Sequence, residues 1–489
     1  MYKRQIVDSA FISNMAQDGE NALNALTLAF PFQMLMVAIA IGTGIGTNVL
    51  VAKNLGLGDK ERASKVAGNA QFLAIIVYLV FLLFGIFGVK FYIATQTENQ
   101  TIYDMAVSYL SICCIASPGI IFFGIYEKLL QATGHSMQST VAMIAGAVIN
   151  IVLDPIMIYG LLGFPEMGVK GAALATVIGQ CASWLLALLF HFKVNKNISK
   201  KLSYLKPSAK VIKDIYSVGL PAIIAQALMS VMTYGLNIIL VSVSESLVTA
   251  YGLFYKIQQF VLFAAFGLRD AITPIVSFSY GMKNRKRIKD GIKYGVLYTS
   301  IIMLIGTVVV EIFAQPFAKV FSLSGETETV FISAMHIITI SFIFAGINIA
   351  LQGVFQALNR GIESLVVSLG RQLVFVLPVA WIFAKLVSDS KASNWLIWTT
   401  FPIAEIVTLI IAYVLMRKVN KAVLLSLTEN SHCEREKLSA DERKHHNHHM
   451  EHHRGHHHEK HYEKNHHHHN RNDKKGCDGK CRDCTHPCH

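Results

Sequence analysis

Apolar residues in this chain come in runs of about 20, the length that crosses a bilayer as an α-helix, separated by short polar connections. Eleven runs are long enough to span, and a shorter apolar stretch, IVDSAFI, stands near the start. The pattern predicts an all-α polytopic membrane protein. The predicted spans are 22–52, 69–93, 103–130, 137–162, 168–192, 213–243, 248–281, 291–320, 328–357, 363–387 and 393–417.

Composition supports the membrane class, since 53% of the residues are hydrophobic and only 15% are charged. The formal charge of +13 comes from Lys and Arg in alternate connections and in the tail. Connections 53–65, 128–135, 193–213, 283–293 and 358–362 hold 19 positive residues, and the alternate ones hold five. Because positive loops stay on the cytoplasmic side, we expect a protein of the cytoplasmic (inner) membrane with these connections and the tail inside. Membrane orientation thus explains the net positive charge, and we expect no nucleic-acid partner.

Two pairs of similar segments indicate an internal repeat. Gly56 aligns with Gly281 and Gln131 with Gln356, and both pairs are 225 residues apart. The aligned segments are NLGLGDKERA with FSYGMKNRKRI, and QATGHSMQS with QALNRGIES. Six helices per repeat bring both halves into the membrane the same way up, so a central site is expected between them.

The repeat sets the expected organisation of the chain. We predict a first lobe at 1–192, a linker at 193–212, a second lobe at 213–420 and a disordered tail at 421–489. Pro221 of the seventh helix aligns with a position before Met1. We therefore expect the first helix to be incomplete in the chain as given.

The run Val141–Leu162 carries the most distinctive chemistry, because its single charge is Asp154. Asn150 lies one helical turn earlier on the same face, and Pro155 leaves the carbonyl of Ile151 without its helical donor. An ionisable group inside a membrane is costly and usually functional, although a carboxylate bonded to a neighbouring helix is the structural alternative. The repeat places Phe375 and Val379 at the equivalent positions, so the feature belongs to the first half alone.

Asp8 is a second carboxylate in an apolar stretch of the first half. Burial disfavours the charged form of a carboxylate, so Asp8 and Asp154 together suit a carrier driven by H⁺ or Na⁺. Among the other intramembrane charges, Lys256 and Glu405 are central enough to contact a substrate. Glu127 with Lys128, Arg269 with Asp270, and Arg371 are expected to form local ion pairs or to reach toward the membrane surface.

Enzymatic activity has no support in the sequence. The glycines of GTGIGTN lie inside a membrane helix, where the strand that precedes a nucleotide-binding loop is missing, and their spacing instead favours close helix packing. We expect no required cofactor. Five methionines either line a pliable cavity or fill the core: Met137, Met143, Met157, Met229 and Met232.

The tail has a different composition, with 17 of the 20 histidines after residue 431. It ends in a cluster of possible ligands for Zn²⁺ or a similar metal: Cys477, Cys481, Cys484, His486, Cys488 and His489. A solvated low-complexity appendage without a metal role is the alternative.

Several segments in order resemble the multidrug and toxic compound extrusion (MATE) transporters over about residues 1–420. They are IVDSAFI, GTNVLVAKNLGLGDKERA, LLQATGHS, NIVLDPIMIYG, GVKGAALATVI and VGLPAII. The resemblance implies twelve helices in two six-helix lobes that alternate between outward-open and inward-open states. It also implies a cation site in the first lobe, formed by Asp8, Asn150, Asp154 and Thr176.

The sequence thus predicts a monomeric antiporter that exports amphipathic, often cationic, small molecules in exchange for H⁺ or Na⁺. Two alternatives stay open. A lipid-linked oligosaccharide flippase would need cationic residues in the central cavity, and a transition-metal exporter would give the His- and Cys-rich tail a role.

Overall fold

A computed structural model describes residues 11–12, 15, 19–321, 323–389 and 393–423. Asp8 and the predicted metal ligands of the tail lie outside these ranges. Every regular element within the described ranges is a helix, and the predicted all-α fold class is confirmed.

The helices follow the predicted spans in order, although several spans consist of two helices and several helices extend a turn or more beyond the predicted bounds. Their bounds are α1 (Gly19–Gly56), α2 (Lys60–Leu83), α3 (Val89–Ala94), α4 (Gln100–Ile115), α5 (Pro118–Ala132), α6 (Ser136–Tyr159), α7 (Gly168–Val194), α8 (Ala209–Val241), α9 (Glu245–Gly281), α10 (Arg285–Val320), α11 (Gly325–Thr339), α12 (Phe342–Ala357), α13 (Gly361–Leu369), α14 (Val376–Ser388) and α15 (Trp395–Val423). Short π-helical segments join α2 to α3 at Phe84–Gly88 and α13 to α14 at Gly370–Val374.

Nine helices or helix runs in the described ranges are long and apolar enough to cross a membrane. Two further pairs, α4 with α5 and α11 with α12, reach that length together but bend by 44° and 49°. The described part of the chain therefore holds up to eleven spans. The two bends lie within one residue of the 225-residue offset, so the repeat seen in the sequence is also a repeat of helix geometry.

The repeated segments form equivalent connections between helices. Asp59 accepts a hydrogen bond from the Arg62 backbone N–H at 2.8 Å and caps α2, and Asn284 caps α10 through the Arg287 N–H at 3.0 Å. The second pair of segments closes the turns after α5 and α12. These connections lie at one end of the helices, which we call the basic face and define by the connections α1–α2, α5–α6, α7–α8, α9–α10 and α12–α13.

The two halves of the chain pack against each other near the basic face. A Cβ added to Gly56 would lie 3.1 Å from the Cα of Gly281, and the converse distance is also 3.1 Å. These two residues are repeat equivalents, so α1 and α9 cross where the absence of side chains lets the backbones touch. α1 also contacts α8, where a Cβ on Gly46 would lie 2.1 Å from the Ile215 carbonyl oxygen. Beyond these contacts, the predicted lobe boundaries stay predictions.

Candidate functional site

The predicted cation site lies where α6 and α7 approach closely. A Cβ on Gly146 would meet the Gly179 carbonyl oxygen at 2.2 Å, and one on Gly179 would meet the Asn150 Cβ at 2.8 Å. A Cβ on Gly171 would lie 2.3 Å from the Met157 carbonyl oxygen. Glycines on both helices therefore set a short interhelical distance, and they bring polar side chains of α6 against α7.

Asn150 and Asp154 are both fully buried in α6. The Asn150 Nδ2 donates a hydrogen bond to Asp154 Oδ1 at 3.0 Å, as the spacing of one helical turn predicts. The Asn150 Oδ1 atom has no hydrogen-bond partner within the described ranges. Thr176 is buried in α7, one turn before the glycine that touches Asn150. The structure thus brings three of the four predicted residues to one helix pair, while Asp8 lies outside the described residues.

A cavity of about 210 Å³ lies between the two halves of the chain. Its walls are mostly apolar and aromatic, and α1, α5, α6 and α7 of the first half face α8 and α9 of the second. The wall residues without charge are Val37, Ala40, Ile41, Ile120, Phe123, Gly124, Met143, Gln180, Ser183, Gln226, Met229, Gln259, Phe263 and Phe266. Two of the five methionines predicted as lining or core residues therefore line this cavity. An apolar cavity with a few polar groups is the usual form of a small-molecule site.

One end of the cavity holds four charged side chains: Glu127, Lys128, Arg269 and Asp270. The Lys128 Nζ donates to Asp270 Oδ2 at 2.7 Å, which joins α5 of the first half to α9 of the second. Lys128 lies farther from its neighbour Glu127, at 3.7 Å. Arg269 pairs with the adjacent Asp270 at 2.8 Å. The prediction of local pairing thus holds for Arg269, whereas Lys128 bonds mainly across the halves.

The predicted cation site and the cavity share helices α6 and α7. Met143 and Asp154 lie on α6 about 16 Å apart along the axis, and Thr176 precedes Gln180 on α7 by about 6 Å. A change at Asp154 that moves either helix therefore also moves a wall of the cavity.

The two residues predicted to contact a substrate do not line this cavity. Lys256 is exposed on α9. Glu405 is buried, where it accepts from Arg371 Nη2 at 2.8 Å and from Asn348 Nδ2 at 2.8 Å. Arg371 had been expected to pair locally or to reach the membrane surface, but its partner lies on α15, 34 residues later. Neither this pair nor Lys128–Asp270 has a sequence spacing that could have revealed it.

The described ranges contain no candidate metal site, since no group of three or more His, Cys, Asp or Glu there could hold an ion. The predicted ligands of the tail fall outside those ranges.

Comparisons with known proteins agree with this geometry. The chain is 22% identical over 369 residues to the multidrug export protein MepA of Staphylococcus haemolyticus, covering 76% of this chain and 80% of that protein. It is 24% identical over 405 residues to MepA of Staphylococcus saprophyticus, covering 82% and 88%. A solved structure of a multidrug resistance MATE family transporter in an outward-facing conformation superposes with a TM-score of 0.80 at 25% identity, covering 86% of this chain and 92% of that one.

The family model described as MatE matches residues 1–156 and 221–382, more than half of the chain. With this match and a helical fold whose cavity lies between two repeated halves, the protein belongs to the MatE, or MATE, family of membrane transporters.

Proposed function

We propose that this protein is a secondary antiporter that exports amphipathic, often cationic, small molecules in exchange for H⁺ or Na⁺. The names of its relatives support export, since both MepA proteins are named as multidrug export proteins. The apolar and aromatic walls of the cavity between the halves suit amphipathic molecules.

The observation that carries the coupling proposal is the complete burial of Asp154 in an apolar helix, with Asn150 as its hydrogen-bond donor. A carboxylate removed from water is costly as a bare anion, so a proton or a sodium ion stabilises it. The unpartnered Asn150 Oδ1 offers a further oxygen to a bound sodium ion. Asp8 and Thr176 complete the proposed cation site.

In the proposed cycle, binding of the cation at Asp154 favours one arrangement of the two halves. The substrate binds in the cavity between the halves and is released when they rearrange. Helices α6 and α7 couple the two events because they carry both the buried carboxylate and part of the cavity wall. We place the basic face and the C-terminal tail in the cytoplasm, following the distribution of Lys and Arg.

Replacement of the buried carboxylate tests the proposal. In a bacterium without its own efflux pumps, we expect Asp154→Asn to abolish dye efflux, because an amide cannot bind and release a proton in exchange. Asp104→Asn is the matched control, since it changes an exposed carboxylate of α4 in the same way. Dye efflux by Asp154→Asn equal to that of the parent would refute the coupling role.

The driving ion is identified with purified protein in proteoliposomes, under a pH gradient and then under a sodium gradient. Transport under one gradient alone, and its loss in Asp154→Asn, is the expected result. Transport of equal rate without either gradient would contradict antiport.

Neither alternative function is favoured by the site. A flippase for a diphosphate-linked sugar needs free cationic groups, but Lys128 and Arg269 in the cavity are both bonded to Asp270. A metal exporter would be indicated if deletion of 431–489 abolished metal tolerance in cells while dye efflux was absent throughout.

A further inference from the structure

The charged end of the cavity combines two properties that the proposed cation site does not use. It faces the space between the halves, and it contains a direct ion pair from one half to the other. We propose that Asp270 is the anchoring carboxylate for a cationic substrate, which displaces Lys128 and thereby breaks one of the bonds that tie the two halves. This inference rests on the proposed export function and assigns its substrate-anchoring residue.

The Lys128 side chain is held in place by the helices packed around it. Its side chain is only 4% exposed, and its Cγ passes so close to Gly44 of α1 that a Cβ there would lie 2.8 Å away. The repeat equivalent of Lys128 is Gly353, where a Cβ would meet the Arg269 Cγ at 2.5 Å. One half therefore provides a lysine, and the other leaves room for the arginine beside Asp270. The repeat has become asymmetric at this point, as it has at Asp154.

Exchange of the lysine for a substrate cation leaves few groups unpaired. Asp270 keeps Arg269, which bonds Oδ1 at 2.8 Å and moves with it because both are on α9. Lys128 keeps Gln131 Oε1 at 3.1 Å and Glu127 at 3.7 Å, both on its own helix α5. Gln131 in turn donates to Glu127 at 2.9 Å, so the carboxylate stays close to the lysine. The bond between Lys128 and Asp270 is thus the part of the network that depends on how the halves are arranged.

The size of the cavity also supports opening of the Lys128–Asp270 pair when the substrate binds. A volume of about 210 Å³ is below the roughly 300–1,000 Å³ of ordinary ligand sites, so an amphipathic substrate needs more room. Opening the ion pair allows the halves to separate and enlarges the cavity. Between the charged end and the basic face, α1 and α9 contact each other at the glycine crossing and through the hydrogen bond from Ser277 Oγ to the Val49 carbonyl at 2.6 Å.

Binding of ethidium, an aromatic cation, to the full-length purified protein tests the anchoring role. We expect Asp270→Asn to bind ethidium at least about tenfold more weakly than the parent, because the carboxylate is lost. Lys128→Met should bind it several-fold more tightly, because the competing cation is gone while Arg269 still pairs with Asp270. A structural ion pair would not give opposite changes in affinity. The matched control is Asp214→Asn, which removes an exposed pair between the halves, Arg62–Asp214 at 3.6 Å.

A separate experiment measures whether the Lys128–Asp270 pair holds the halves together. The distance between spin labels at Glu61→Cys and Lys286→Cys on the basic face is measured in a protein whose eight native cysteines are replaced. We expect ethidium to lengthen this distance in the parent. Lys128→Met should show the longer distance without ligand. The double variant Lys128→Met/Asp270→Asn removes both charges of the pair between the halves, and the Asn amide oxygen can still accept from Arg269, so it should fold, show the longer distance and still bind ethidium weakly.

The outcomes separate this inference from the proposed function. If the parent binds and transports ethidium but Asp270→Asn binds it with parental affinity, the inference is wrong and the export function stands. If the label distance in Lys128→Met equals that of the parent, the Lys128–Asp270 pair does not hold the halves together. A parent that neither binds nor transports ethidium counts against both proposals.

Discussion

At the scale of single residues, three acidic side chains inside the described helices are held by specific partners. Asp154 bonds to Asn150 within one helix, Asp270 bonds to Lys128 across the halves, and Glu405 bonds to Arg371 within the second half. The first two lie at the proposed cation site and at the cavity. The third touches neither, and its role is best explained as stabilisation.

The pair Arg371–Glu405 therefore gives a prediction about stability. Arg371→Met leaves the Glu405 carboxylate buried with the Asn348 amide as a hydrogen-bond donor but without its cation, and loss of one partner of a buried pair costs about 3 kcal/mol or more. We expect the Tm of the purified protein to fall by at least about 5 °C. Replacing both partners, as in Arg371→Met/Glu405→Leu, should recover most of the loss.

Lys256→Met is the control for this measurement, because it removes a cation that is exposed on α9. Equal Tm values for Arg371→Met and Lys256→Met would show that the buried pair does not stabilise the fold.

At the scale of helices, glycines decide which pairs approach closely. α1 meets α9 at Gly56 and Gly281, and α6 meets α7 at Gly146 and Gly179. The bends between α4 and α5 and between α11 and α12 follow the repeat, whereas the π-helical segment Gly370–Val374 occurs at a position where the first half has continuous helix. That segment contains Arg371, so the irregular turn helps to place the side chain that pairs with Glu405.

Two glycines of α9 provide a matched test of close packing. A Cβ at Gly281 would lie 2.1 Å from the Lys53 carbonyl oxygen, whereas a Cβ at Gly252 would meet nothing within 4 Å. We expect Gly281→Ala to lower the Tm clearly, because backbone must shift. Gly252→Ala should leave the Tm unchanged or raise it slightly, because alanine favours the helix by up to about 1 kcal/mol. Thermal unfolding followed by intrinsic fluorescence measures both, and a Gly281→Ala protein as stable as Gly252→Ala would contradict the close crossing.

At the scale of the whole molecule, the two halves meet along the basic face. In addition to the glycine crossing, Lys53 lies over the Tyr280 ring at 5.2 Å, and Arg62 lies near Asp214. The alternating access that we propose requires these contacts to separate once in each cycle.

A reversible cross-link tests that requirement. We expect a short thiol-reactive linker between Arg62→Cys and Asp214→Cys, in a background without the eight native cysteines, to stop dye transport in proteoliposomes. A reducing agent that cleaves the linker should restore it. The control is the same linker between Glu61→Cys and Lys65→Cys, a pair within α2, which should not affect transport. Undiminished transport with the halves linked would refute separation at this face.

Much of this protein follows from its sequence alone. Runs of apolar residues determined the helices, since a backbone in lipid must bond within its own segment. The 225-residue offset revealed the repeat, and a lone carboxylate one turn from an amide identified Asn150 and Asp154. These are local features, and local spacing is sufficient to find them.

The tertiary structure decided which distant residues meet. Lys128 reaches Asp270 across 142 positions and Arg371 reaches Glu405 across 34, while Lys256 and Glu405 stay away from the cavity wall. No periodicity encodes such partners, because they depend on how bent helices cross and on where a glycine leaves space for a long side chain. The sequence determined the helices and the buried carboxylate, and the packing of the halves decided what the charged residues bind.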